Sequence, residues 1–390
     1  MSFTETTHTS WFTRLKNGVI GIVVGLIIAV GMIVLLAWNE GRSVKTYRSL
    51  VEGAGLVVSV ASDTVDPANE GKLIHISGKV VPDGTPEDSV FAVSAEGAAG
   101  LRRDVEMYQW VEESRSETKK TLGGGEETVT TYSYKKDWQS RPVDSSNFRE
   151  GDGHSNPPMP FESERFTISS AHVGAFVVDG ETIANLGTTK QIAVSPDLVR
   201  KIEETIAVGM PVSSDGKTLF VSNNRNAPAI GDLRIRFDRI DTGEASLIAA
   251  QSGNGLKPFN TSNGRSLFLS QAGIVGAAEM FDAAQSENTL ITWLIRLGGL
   301  IGLYIGFSLS FSILGVIADV IPFVGSIVRF GTGLIAFALT LIIGPTVIAL
   351  AWFAYRPLLS LGLIAGGIVL AIAVLKLRGS KSAAATPKAA

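Results

Sequence analysis

The sequence of 390 residues contains no cysteine and only four histidines. Without cysteine, neither a disulfide bond nor a thiolate-bound metal ion can form. The histidines are His8, His75, His154 and His172, and none of them is paired at the close spacing of a zinc site. We therefore expect no metal centre and no cofactor.

Charge and catalytic motifs are also scarce. Only 18% of the residues are charged and the net charge is −3, whereas a surface that binds nucleic acid needs concentrated positive charge. Neither a Gly-x-Ser-x-Gly motif nor a P-loop is present, and the glycines at 123–125 lack the lysine and hydroxyl residue of a phosphate site. The sequence therefore predicts neither a nucleic-acid partner nor an enzyme.

What the chain does contain is long apolar runs, one near its start and three in its last quarter. Each run approaches the ~20 apolar residues that a helix needs to cross a hydrocarbon core of about 30 Å. Between the first and second runs lie about 250 residues of ordinary polarity, enough for a separate core. The sequence predicts an α-helical four-span membrane protein with a large extramembrane β-rich (α+β) domain between spans 1 and 2.

Basic residues close to the short loops predict the orientation of the spans. Arg14, Lys16, Arg329 and the basic tail fall on one side, which we assign to the cytoplasm. The predicted segments, in chain order, are a cytoplasmic tail at 1–17, transmembrane helix 1 at 18–38, the extracytoplasmic β-rich domain with helical stalks at both ends at 39–289, transmembrane helix 2 at 290–318, a short cytoplasmic interfacial turn at 319–329, transmembrane helix 3 at 330–353, a short outer loop at 354–357, transmembrane helix 4 at 358–375 and a basic cytoplasmic tail at 376–390.

Small residues recur every four positions within the spans. The members of these ridges are Gly298, Gly302, Gly306 and Ser310 in the second span, and Gly21 and Gly25 in the first. Because lipid provides no hydrophobic drive between helices, close approach at small residues is a main source of their attraction. The ridges either pack the spans of one chain together, which we favour, or mediate self-association.

A carboxylate, Asp319, lies in the predicted turn between spans 2 and 3. A charged residue at membrane depth is a functional hint. The interpretation that we favour is a structural pair with Arg329 at the level of the lipid headgroups.

The polar domain shows alternating apolar and polar residues, which predict strands at 72–80, 232–240 and 266–270. Ser195 followed by Pro196 predicts the start of a helix that extends over 195–204. Two strand-like segments at 104–112 and 128–138, joined through the glycines, predict a long hairpin with a mobile tip.

Aromatic residues share one face of each hairpin strand. Tyr108 and Trp110 lie on the first strand, and Tyr132, Tyr134 and Trp138 lie on the second. Such rows could line a groove for glycan, lipid or peptide. We favour cross-strand packing, which stabilises a sheet by ~0.2–1 kcal/mol per pair.

Several segments carry a family resemblance. They are Asn39-Glu40-Gly41-Arg42, Asn69-Glu70-Gly71-Lys72-Leu73, the stretch 105–112, Tyr132-Ser133-Tyr134, Gly231-Asp232-Leu233 and Tyr355-Arg356-Pro357-Leu358. In this order they resemble the LUMA family, also called transmembrane protein forty-three. The alanine-rich, cysteine-free composition favours a bacterial member.

The resemblance implies four spans and a large lumenal domain. Animal members are proteins of the endoplasmic reticulum and inner nuclear membrane, regarded as self-associating scaffolds that organise membrane proteins such as emerin and lamins. Because bacteria have no nuclear envelope, these partners do not transfer. The family has no established catalytic residues, so none is carried over.

Two functional classes follow. The first is a non-enzymatic scaffold of the bacterial inner membrane that self-associates and recruits membrane or envelope proteins through a periplasmic domain. The second is a protein that senses or handles envelope lipids or another ligand, using the aromatic hairpin and interfacial segments. A symmetric oligomer would support the first class, and an apolar cavity open to the bilayer would support the second.

Overall fold

A computed structural model describes residues 2–206 and 209–355. The helices are α1 (Trp11–Leu56), α2 (Gly180–Leu186), α3 (Pro196–Thr205), α4 (Ala277–Ala318) and α5 (Pro322–Tyr355), with short 3-10 turns at Pro67–Asn69 and Ser145–Asn147. The strands are β1 (Ser2–Thr9), β2 (Val58–Ser59), β3 (Leu73–Asp83), β4 (Glu87–Asp88), β5 (Val93–Ser94), β6 (Gly100–Lys120), β7 (Glu126–Gln139), β8 (Glu164–Thr167), β9 (Ser170–Val173), β10 (Phe176–Asp179), β11 (Thr188–Gln191), β12 (Val212–Ser214), β13 (Leu219–Val221), β14 (Leu233–Asp241), β15 (Glu244–Ser252), β16 (Gly255–Lys257), β17 (Phe259–Asn260), β18 (Ser266–Leu267) and β19 (Leu269–Ala272).

Three helices in the described part of the chain are long and apolar enough to cross a membrane: α1, α4 and α5. Both α1 and α4 extend beyond the predicted spans, since α1 continues to Leu56 and α4 begins at Ala277. The fourth predicted span, 358–375, lies outside the described residues. Of the four predicted spans, the described residues therefore show three.

The turn between α4 and α5 is shorter than predicted. It contains only residues 319–321, because α5 begins at Pro322 and the rest of the predicted turn is helical. Proline suits the first position of a helix, where its fixed φ is already helical and its missing N–H has no partner to lose. Gly325 is required in this first turn, since a Cβ atom there would lie 1.8 Å from Asp319 Oδ1.

The described chain separates into two compact units. The β unit contains residues 2–7, 49–118 and 128–284, and the helical unit contains residues 8–48, 119–127 and 285–355. The β unit is built on two sheets. One has eight strands, with the path β1-β7-β6-β14-β13-β12, β8 paired to β6 and β11 paired to β14. The other has seven strands, with the path β19-β15-β16-β10-β9-β3-β2.

Alternating burial explains the strands of the β unit. In β14 the side chains of Leu233, Ile235 and Phe237 are buried, and they alternate with arginine and aspartate. β14 pairs antiparallel with β6, which places Leu233 opposite Met107. Both residues belong to a core cluster that also contains Phe91. This buried row fixes the register, since a slip of one residue would expose it.

The predicted helix and strands of the β unit are present. α3 begins as expected, because the Ser195 hydroxyl accepts a hydrogen bond from the Leu198 amide at 3.2 Å and Pro196 follows the cap. The strands predicted at 72–80 and 232–240 correspond to β3 and β14, and 266–270 contains β18 and the start of β19. The predicted hairpin is the β6–β7 pair, longer at both ends than its sequence pattern indicated.

Candidate functional site

The contact between α1 and α4 in the helical unit is made by the small-residue ridges. A Cβ atom on Gly25 would lie 2.4 Å from the Gly306 carbonyl oxygen, and one on Gly306 would lie 2.8 Å from the Gly25 carbonyl oxygen. Gly302 faces Met32, and Gly21 faces Ser312 at a more ordinary distance. These ridges therefore pack two helices of one chain together, as favoured from the sequence.

The remaining ridge members behave differently from each other. The Ser310 hydroxyl donates to the Gly306 carbonyl oxygen at 2.9 Å and lies against Gly25, inside the same contact. Gly298 is exposed, and no atom lies within 4 Å of the position of its missing Cβ. Of the predicted self-association residues, Gly298 is thus the one left open on the surface of α4.

A buried ion pair joins the three long helices; we call it the Glu40 cluster, formed by Glu40, Trp293, Arg296 and Trp352. Arg296 donates from Nε to Glu40 Oε1 at 2.7 Å and from Nη2 to Oε2 at 2.8 Å. Trp352 Nε1 donates to the same Oε2 at 2.7 Å. The guanidinium lies 4.7 Å from the ring centre of Trp293 and 5.7 Å from that of Trp352. Glu40 is only 2% exposed, so its charge is satisfied entirely by these donors.

The neighbours of Glu40 in the sequence extend this network. Asn39 Nδ2 donates to the Thr292 carbonyl oxygen at 3.1 Å, and Arg42 Nη1 donates to Asn288 Oδ1 at 3.2 Å. Gly41 allows the ring of Tyr355 to approach, since a Cβ atom would lie 2.7 Å from that ring. The segment Asn39–Arg42 and Tyr355, two parts of the family resemblance far apart in the sequence, therefore meet at one place.

A second charged cluster contains Arg14, Lys120, Glu126, Asp319 and Arg329, and we call it the Asp319 cluster. Asp319 Oδ2 accepts from Arg14 at 2.5 Å and from Lys120 at 2.8 Å, and Arg329 Nη1 lies 2.6 Å from Oδ1. Arg14 also pairs with Glu126 at 3.0 Å. The pairing of Asp319 with Arg329 was predicted, and the contributions of Arg14 and Lys120 were not.

The partners of Asp319 decide its protonation. Burial alone would raise its pKa, but the hydrogen bonds from Lys120, Arg14 and Arg329 outweigh burial and lower the pKa to about 2. The side chain is 0% exposed, and it stays ionised at neutral pH. Asp319 is therefore a fixed negative charge that holds three cations, not a proton carrier.

The tip of the β6–β7 hairpin is fixed in the helical unit rather than projecting from it. The Gly123 amide donates to the Val320 carbonyl oxygen at 3.3 Å, and the ring of Trp11 packs against Gly124. The sequence predicts this tip in the extracytoplasmic domain, and residue 14 and the 319–329 turn in the cytoplasm. The structure puts all three segments in direct contact.

The predicted aromatic surface lies in the β unit, and its side chains pack on one another. The rings of Tyr108 and Trp138 are 5.2 Å apart, and the Tyr132 ring lies 6.2 Å from that of Phe3 in β1. Arg234 covers the Trp138 ring at 4.7 Å.

A loop after β7 covers the rest of this surface. His154 stacks on Tyr134 at 4.1 Å and meets the edge of Trp110 at 4.6 Å. The Tyr134 hydroxyl donates to Glu112 at 2.7 Å and accepts from the Glu150 amide at 2.8 Å. Burial, followed by the hydrogen bond to Glu112, raises the pKa of Tyr134. These contacts are those of packing between strands and loop.

The helical unit also contains an apolar groove between α4 and α5, with a volume of about 280 Å³. Its lining residues are Tyr304, Arg329, Phe330, Gly333, Leu334 and Phe337. The two helices that form this groove are both long and apolar enough to cross a membrane.

Sequence reasoning missed the Glu40 cluster. Its signal was present as Glu40 and Arg296, opposite charges at the outer ends of the first and second apolar runs, with Trp352 at the corresponding end of the third. Since consecutive spans cross a membrane in opposite directions, these residues lie at the same end of their spans and could have been paired.

Comparison with known proteins places this bundle in context. The family model described as Transmembrane protein 43 matches residues 107–357. The chain belongs to the transmembrane protein 43 family. Transmembrane protein 43 of Homo sapiens is 34% identical over 377 residues, which cover 94% of this chain and 92% of the human protein. The protein of the same name from Mus musculus is 34% identical over 357 residues, covering 88% of this chain and 87% of its own.

A more distant relative, Transmembrane protein 43 homolog of Drosophila melanogaster, is 28% identical over 347 residues, which cover 85% of this chain and 88% of the fly protein. No solved structure matches the chain. Membership of the transmembrane protein 43 family confirms the resemblance recognised in the sequence, and with the three apolar helices it makes the chain an integral, multi-pass membrane protein.

Proposed function

We propose that the protein is a non-enzymatic membrane scaffold that self-associates and recruits other membrane or envelope proteins through its β unit. The setting that we propose is a bacterial cytoplasmic membrane. The Glu40 and Asp319 clusters support a structural role, since they join α1, α4 and α5 through buried ion pairs.

The observation that carries this proposal is the open position of Gly298. The other ridge glycines contact residues inside the chain, whereas Gly298 lies on an outward stripe of α4. The apolar side chains of this stripe are 45–58% exposed: Leu294, Leu297, Ile301 and Ile305. A glycine among exposed apolar side chains lets a second helix approach closely, as small-residue helix dimers do. A symmetric pair of α4 helices would bury this stripe.

Native mass spectrometry of the full chain in mild detergent tests self-association through Gly298. We expect a defined oligomer for the wild type and a monomer for Gly298→Leu, because leucine would hold two helices apart. The matched control is Gly31→Leu, which is also exposed and also has no atom within 4 Å of its missing Cβ. A wild-type monomer, or an oligomer that survives Gly298→Leu, would overturn the proposal.

A second candidate function is the handling of a membrane lipid, and the groove between α4 and α5 favours it. The groove is large enough for part of an acyl chain and is lined by phenylalanine and leucine. Phospholipid that co-purifies with the chain in native mass spectra would support this candidate. A chain that carries no lipid under any mild extraction condition would exclude it.

A further inference from the structure

One end of the groove between α4 and α5 is apolar, and a glycine, Gly333, gives this end its shape. Phe330, Leu334 and Phe337 of α5 are 70%, 55% and 52% exposed along it. Gly333 leaves the floor open, since the nearest atom to its missing Cβ is the Tyr304 hydroxyl oxygen at 3.7 Å. An extended hydrocarbon chain fits such a surface, because burial of apolar groups needs no directional contact.

The other end of the groove is basic. Arg329 lines it, and the Arg329 side chain is 36% exposed although its Nη1 contacts both oxygens of Asp319, at 2.6 and 2.7 Å. The long side chain of an arginine can lie along apolar surface while its guanidinium reaches the headgroup level. The Asp319 carboxylate itself is inaccessible, being 0% exposed.

The charge of the Asp319 cluster is not balanced. Three cations, Arg14, Lys120 and Arg329, share two carboxylates, Asp319 and Glu126, so one positive charge is in excess. Asp319 is fully buried, whereas Arg329 is 36% exposed and is the most exposed member of the cluster, so the positive charge that faces the groove is that of Arg329. Basic pockets between membrane helices are suited to anionic headgroups.

We propose that this groove binds an anionic phospholipid of the surrounding bilayer, with one acyl chain over Gly333 and the phosphate at Arg329. The proposal rests on the second candidate function above and adds the class of lipid. The Tyr304 hydroxyl lies beside the chain, where it can donate to an ester oxygen of the same lipid.

Native mass spectrometry of the full-length protein with added phosphatidylglycerol or phosphatidylcholine tests the proposal. We expect the wild type to bind phosphatidylglycerol at least tenfold more tightly than it binds phosphatidylcholine. Gly333→Leu should lose this binding, since leucine fills the groove without touching the Asp319 cluster. Gly331→Leu is the matched control, two residues away on α5 with no atom within 4 Å of its missing Cβ, and it should bind as the wild type does.

The other outcomes separate two kinds of failure. If both lipids bind equally and Gly333→Leu loses both, the groove handles lipid but the preference for an anionic headgroup is overturned. If the wild type binds neither lipid, or Gly333→Leu binds both as the wild type does, the groove is not a lipid site and the second candidate function fails with it.

Discussion

At the scale of single residues, the helical unit is organised by two buried carboxylates. Glu40 and Asp319 are 2% and 0% exposed, and each is neutralised by cations from distant parts of the chain. A buried ion pair contributes little beyond an apolar pair of the same shape, but removing one partner is costly because it leaves the other charge unpaired. These residues therefore specify which helices meet more than they add stability.

Asp319→Asn should lower the free energy of unfolding by about 2 kcal/mol at pH 7, since the lowered pKa corresponds to a stabilising interaction of that order. The folded pKa lies below the unfolded value, so this stability is present above about pH 4 and is lost as the pH falls toward 2. Denaturant unfolding in detergent at several pH values measures both effects.

The control for Asp319 is Glu117→Gln, which changes a carboxylate that is 66% exposed and whose ion pair with Arg115 is 3.7 Å long. An exposed pair of this kind contributes at most about 1 kcal/mol. Equal losses in the two variants would contradict the role given to Asp319.

Glu40→Gln should destabilise the helical unit by roughly 3 kcal/mol, because it leaves the buried Arg296 guanidinium without its counter-charge. Trp352→Phe should cost roughly 1 kcal/mol, since it removes one hydrogen bond and keeps the aromatic packing. Thermal unfolding in one detergent ranks the two variants. The reverse order would show that the tryptophan, and not the ion pair, holds the cluster together.

At the scale of elements, helices and strands that depend on neighbouring residues could be predicted from the sequence, whereas most contacts between distant residues could not. The Ser195 cap and the alternation in β3 and β14 are decided by residues within a few positions, so α3 and both strands could be predicted. The pairing of Asp319 with Lys120 joins residues 199 positions apart, and no sequence pattern predicts it. The pairing of Glu40 with Arg296, 256 positions apart, has no local pattern either, and its only signal is that the two charges lie at the ends of their spans. The alternation of residues predicted that the aromatic side chains share one face of each hairpin strand. It did not predict the loop that places His154 on Tyr134.

The contact between α1 and α4 gives a test at this scale. Gly25→Leu should destabilise the helical unit by about 2 kcal/mol or more, because any side chain at this position meets the Gly306 backbone. Gly31→Leu, on the open side of the same helix, should leave the unfolding temperature nearly unchanged. Unfolding followed by circular dichroism in detergent compares them, and similar losses would mean that the ridge does not pack within the chain.

At the scale of the whole molecule, the Asp319 cluster bears on membrane topology. Side chains within 3 Å of one carboxylate must lie on one side of a membrane, so residue 14, the hairpin tip and the α4–α5 turn share a side. The rule based on basic residues near short loops cannot detect the position of the hairpin tip. It assigns the whole region between two spans to one side of the membrane.

The absence of cysteine makes this expectation directly testable. Phe12→Cys, Leu122→Cys and Phe323→Cys change side chains that are 74%, 88% and 74% exposed, and each would be the sole thiol of the chain. We expect a membrane-impermeant maleimide to label all three from the same side of intact cells or oriented vesicles. Labelling of Leu122→Cys from the side opposite to the other two would contradict this expectation and support the topology predicted from the sequence.

The Asp319 cluster also has a consequence for the order of events during synthesis. Arg14 leaves the ribosome 305 residues before Asp319. At a synthesis rate of 5–20 residues per second, the interval between the two residues is about 15 to 60 s. Until α4 is synthesised, Glu40 lacks Arg296 and Arg14 lacks Asp319. The bundle of α1, α4 and α5 can therefore close only after both α4 and α5 have been synthesised.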